Sequence, residues 1–140
     1  MYKYKQLNDL YIVSIDNHKD ITSAIEAFCN EQDIHSGKID GLGAVSRATL
    51  RFLNPATKKY VDKTFEEQME ISNLHGNISR KDGKVYLHLH ATFGRSDYTA
   101  IAGHLLTGEV NGACEIFIKK LDGEVGRYFD EETGLNLYDL

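Results

Sequence analysis

The sequence has no tryptophan, a single proline at Pro55 and only two cysteines. One proline leaves no room for a proline-rich linker. Cys29 and Cys114 form no CxxC pair, and are expected to be small buried residues in a reducing compartment, not a disulfide or metal ligands. No apolar run approaches the roughly 20 residues of a membrane helix. Met1 to Gln6 lacks the apolar stretch of a signal peptide, so a cytoplasmic protein with no membrane partner is expected. A basic excess is missing too, since the net charge is −5. The cations are scattered as Lys58, Lys59 and Lys63, as Arg80, Lys81 and Lys84, and as Lys119 and Lys120. Asp62, Glu66, Asp82 and Asp122 lie among them. Nucleic-acid affinity comes largely from phosphate neutralisation by a basic surface. DNA is therefore a disfavoured partner, unless folding and assembly gather these cations on one face.

What is present fits one globular domain over residues 1–140: 41% of residues are hydrophobic and 26% charged. A first strand is expected over about Tyr4 to Ile15. Ile21, Ala24, Ile25 and Phe28 then recur at helical spacing, with Asp20 placed as N-cap and Gly37 beyond the end. Strand periodicity follows near 38–46, 47–53, 66–79, 84–94, 98–106 and 110–120. One helix followed by runs of strands predicts an α+β fold with a mainly antiparallel sheet. In the tail, the acids of Phe129 to Leu135 predict a surface turn, with Leu135, Leu137 and Tyr138 docking back on the body. Gly41-Leu42-Gly43 is neither a dinucleotide fingerprint nor a phosphate loop. It predicts close backbone approach or a bulge.

Chemistry concentrates in the histidines. From Val85 to Phe93 the chain alternates strictly, so His88 and His90 share one face with Tyr86 and Thr92. Asp82-Gly83 suits a two-residue hairpin loop. That loop pairs Lys81 with Lys84, Asn77 with His88 and His75 with His90. A connection symmetric about Asp97 would set His104 opposite His90. His75, His90 and His104 then form a row on three neighbouring strands, with His88 alongside. Imidazole suits zinc, iron, nickel and copper, and three histidines with an open position make a reactive site. His88, His90 and His104 are the expected metal ligands. His75 is a further ligand or supporting residue, and Asn73, Asn77 and Tyr86 are placed to orient the set.

The blocks Gly41 to Ser46, Phe52 to Asn54, Met69 to Ile78, His88 to Ala91 and Gly103 to Leu105 resemble the plant-and-prokaryote-conserved (PPC) domain family over nearly the whole chain. Members occur alone in prokaryotes and behind AT-hook segments in plants, and often carry a provisional DNA-binding label. The resemblance implies a twisted, mainly antiparallel sheet, a homotrimer, and a metal triad at His88, His90 and His104. Relatives commonly have a small residue at the position of His75 and glycine at that of Ala102. No Arg-Gly-Arg hook core is present, which weakens the DNA-binding label.

Three functions compete. The first is a trimeric module holding a divalent metal, zinc in the first instance and iron or nickel as alternatives, with a coordination position open to a small ligand or to metal-dependent chemistry. There, Arg95 is a candidate for receiving an anion, and Glu70 or Glu115 a candidate general base. The second is a DNA-associated regulator, and the third an assembly module with a structural metal. No Ser-His-Asp order, paired-carboxylate motif or phosphate loop fixes a reaction, so the sequence leaves open whether the protein is an enzyme.

Overall fold

The computed structural model describes residues 1–140. Strands β1 (Tyr2–Leu7) and β2 (Leu10–Ile15) pair antiparallel as a hairpin. The single strand expected over 4–15 is therefore two. Asn8 makes the turn at a φ of 56°, a left-handed conformation that asparagine tolerates. Helix α1 (Ile21–Glu31) buries the expected stripe of Ile21, Ala24, Ile25 and Phe28, together with Cys29. Asp20 caps it: Oδ1 accepts from the Ser23 amide and hydroxyl, both at 2.8 Å, while Oδ2 accepts from the Gly108 amide at 2.9 Å. One carboxylate thus starts the helix and ties it to the sheet. Phe28 meets Tyr2, Tyr4 and Tyr11 edge-on, which packs the first hairpin against the helix.

Two long strands dominate the rest. β3 (Gly37–Asn54) joins the segments expected at 38–46 and 47–53. Its second half pairs with β4 (Lys59–Phe65), a strand that leaves no buried alternation in the sequence because almost all of its residues are exposed. β5 (Met69–Lys81) and β6 (Lys84–Gly94) form the expected hairpin, with Asp82 at φ 51° and Gly83 at φ 75°. β7 (Ala100–Lys120) joins the segments expected at 98–106 and 110–120. The register between β3 and β7 shifts at Gly43/Val45, Val45/Arg47 and Thr49/Leu50, so bulges bend both strands while keeping them continuous. A Cβ on Gly43 would overlap the Ala113 carbonyl of β7, so the Gly41–Gly43 run is the close-approach device expected from its sequence.

Because β3 pairs with β5, β5 with β6, β6 with β7 and β7 with β3, these four strands close a circuit. The sheet continues through β2 and β1 on one side, and through β8 (Gly126–Asp130) and β9 (Leu135–Asp139) on the other. All pairings are antiparallel except one parallel bridge, Arg80 to Gly126. The α+β class with one helix and a mainly antiparallel sheet is observed. The tail turns where expected, but its flanks are strands. A core of 25 buried residues includes both cysteines, and burial raises each thiol to about 12, which leaves them inert. No helix is long and apolar enough to cross a membrane.

Candidate metal centre

On β6, Leu89, Ala91 and Phe93 are buried in the core, so His88 and His90 occupy the opposite, outward face. The Asp82-Gly83 turn sets Asn77 opposite His88 and His75 opposite His90. The next connection folds about Asp97, whose Oδ1 accepts from the Thr99 amide at 2.9 Å and the Thr99 hydroxyl at 2.6 Å. It brings Gly94 opposite Ala100 and His90 opposite His104. The expected row His75–His90–His104 on β5, β6 and β7 is present.

Three of the four rings converge. One nitrogen from each of His88, His90 and His104 lies within 4.8 Å of the others. The Nε2 atoms of His88 and His90 are 3.2 Å apart. Ring centroids are separated by 5.1 Å for His88–His90, 5.3 Å for His88–His104 and 5.7 Å for His90–His104. His75 stands outside this group, its centroid 6.3 Å from that of His90 and its Nδ1 2.6 Å from Asn73 Oδ1.

The electrostatics favour neutral rings. Burial, then the nearby His104, His90 and Arg127, push His88 down to about 4. Burial and His75 lower His90; burial, His90 and Arg51 lower His104 against the opposing pull of Asp62. Neutral imidazole is the form that lends a lone pair to a cation. Two facing Nε2 atoms at 3.2 Å also approach the edge of a tetrahedral zinc–imidazole site, about 3.3 Å for bonds of ~2.05 Å. The donor set fits a borderline divalent metal.

The other candidates stand elsewhere. Glu70 lies opposite Gly94 and Ala44, and lines a shallow cavity of about 610 Å³ with Leu42, Gly43 and Asn111. Glu115 lies opposite Leu42 and Ser14. Arg95 is held by both carboxylate oxygens of Glu67, at 2.9 and 3.2 Å, and is not free to receive an anion. No carboxylate joins the three imidazoles. Asn77 and Tyr86 turn towards an unforeseen residue, Arg127: its Nη2 donates to Asn77 Oδ1 at 2.8 Å, and its guanidinium lies over the Tyr86 ring. Arg51, the register partner of His104, was also missed. It donates to Asp62 through Nε at 2.7 Å and Nη2 at 2.8 Å. Neither arginine sits in a sequence pattern that marks it, because each reaches the histidines only through strand pairing.

The Plants and Prokaryotes Conserved (PCC) domain model matches residues 2–122. The chain belongs to this family. A protein of solved structure from Bacteroides thetaiotaomicron, described as a candidate DNA-binding protein, is 55% identical, with 99% of this chain and 97% of that one covered at a TM-score of 0.98. A protein from Archaeoglobus fulgidus, described as metal-containing, is 36% identical over 100% of this chain and 99% of its own, at a TM-score of 0.89. A further candidate DNA-binding protein, from Ralstonia eutropha, is 28% identical over 99% and 96% of the two chains, at a TM-score of 0.92. A comparison with curated proteins gives no match.

Proposed function

We propose that this PCC-domain protein is a cytoplasmic, homotrimeric module that binds one divalent metal, zinc in the first instance, through His88, His90 and His104. One coordination position is left to a small ligand. The reading is carried by three neutral imidazoles meeting at one point with no protein carboxylate to complete the set. The metal-containing archaeal relative supports it. When bound, such an ion supplies a Lewis acid and an acidified water. This chain's own contribution is to fix the rings on two paired strands, β6 and β7, with Asn73 on β5 holding His75 beside them. Self-association is supported by Ile12, Phe117 and Leu42, large apolar side chains left exposed on the adjacent strands β2, β7 and β3.

The test is cobalt substitution. In the cobalt-loaded protein, added imidazole or azide should change the visible absorption, because either probe can enter an open position. A spectrum indifferent to both would mean a closed, structural site. A DNA-associated role is the second reading, favoured by the descriptions of the Bacteroides and Ralstonia relatives. It requires measurable duplex binding at low salt that weakens steeply as salt is added.

A further inference from the structure

Arg127 lies outside the residues matched by the family model, on the hairpin β8–β9. The chain has five arginines, and four of them have an acidic oxygen within 4.0 Å: Arg47 with Glu66, Arg51 with Asp62, Arg80 with Glu124 and Arg95 with Glu67. Arg127 has none. Its acceptors are all neutral: Ser79 Oγ for Nε at 2.6 Å, the Asn136 carbonyl for Nη1 at 2.8 Å and Asn77 Oδ1 for Nη2 at 2.8 Å. The guanidinium carbon also stands 4.8 Å from the ring centre of Tyr86 and 4.3 Å from that of Tyr138. Stacking on two rings and bonding to the fully buried Ser79 fix the group in place, but they do not neutralise it. A guanidinium carries five N–H bonds. One on each terminal nitrogen is therefore unclaimed and can be donated to a carboxylate.

The cation borders the histidine cluster. Asn77, which holds Nη2, is the direct cross-strand partner of His88, and Tyr86 precedes His88 by two residues on the same face of β6. On the opposite side of the cluster, Arg51 is already matched by Asp62. The cluster thus has one compensated and one uncompensated guanidinium beside it, and the uncompensated one is preorganised, so a ligand would not bear the entropy of ordering it.

We propose that Arg127 receives the carboxylate of a small organic acid whose second oxygen donor reaches the open position at His88, His90 and His104. This rests on the metal-site reading above and names the ligand class for it. A structural arginine would pin the hairpin without caring whether the ligand carries charge, so charge preference is the readout.

The experiment compares glycolate with its neutral amide, glycolamide, by calorimetry on the zinc-loaded protein, with metal content measured in parallel. Wild type should bind glycolate at least tenfold tighter than glycolamide. Arg127→Gln should abolish that preference and keep its metal. Arg127→Lys, which keeps the charge but not the guanidinium, should retain a weakened preference, and it carries the comparison if the glutamine variant does not fold. An equal preference in wild type and both variants, or no preference in wild type, overturns the proposal while leaving the metal site standing. A wild-type protein that takes up no metal overturns both.

Discussion

His90 lies directly opposite His104 across the β6–β7 pair, with its own neighbour His88 only 3.2 Å away between Nε2 atoms. Two turns create this relationship: Asp82-Gly83 sets β6 against β5, and the Asp97-centred connection sets β7 against β6. A slip of one residue at either turn would carry its histidine to the core face. The site is therefore a statement about register.

Register also makes the strands' closest contact critical. Gly76, beside His75, faces β6 so closely that an added Cβ would overlap the His88 carbonyl oxygen. Gly76→Ala must push β5 and β6 apart beside His88. Chemical denaturation should show a loss of about 2–3 kcal/mol, the scale of overpacking in a tight core. A loss below about 0.5 kcal/mol, the range of neutral surface changes, would mean that the strands separate freely.

The cap that joins helix to sheet should behave similarly. Asp20→Ala removes the acceptors of the Ser23 amide and of the Gly108 amide on β7. Loss of an N-cap costs about 1 kcal/mol, and an orphaned Gly108 donor adds to it. Asp20→Asn, which keeps one oxygen, should recover part of the difference in the same denaturation assay.

Acid should destabilise the metal-free protein. His88, His90 and His104 all have folded-state values below the ordinary histidine 6.5, with His88 near 4. Between those limits the unfolded chain binds more protons than the folded one, so stability rises with pH and falls as pH drops from about 6.5 towards 4. Thermal melts of the metal-free protein across that window should show a falling Tm. His88→Gln should flatten the slope. A Tm independent of pH in both proteins would contradict the neutral, partly desolvated state of the triad.

Much of this was legible in the residues. Alternation from Val85 to Phe93 and the Asp-Gly turn were enough to pair His75 with His90, because a two-residue loop leaves a single register. Asp20, Ile21 and Phe28 likewise announced the helix. What stayed hidden has physical reasons. β4 exposes nearly all of its residues, so it carries no burial pattern. The bends of β3 and β7 look like strand ends because bulges interrupt alternation without breaking pairing. Arg127 belongs to a tail whose acids suggested only a turn, and it meets Ser79 and Asn77 across 48 and 50 residues. Arg95 failed in the other direction: its nearby Glu67 neutralises it.

The most direct measurement is the zinc bound per chain after purification and dialysis, by elemental analysis, for wild type, His75→Ala, His88→Ala and His104→Ala, with circular dichroism on each. Wild type and His75→Ala should hold close to one ion per chain, while His88→Ala and His104→Ala should fall at least tenfold with their strand signal intact. Equal metal in all four proteins, or none in wild type, would contradict the account.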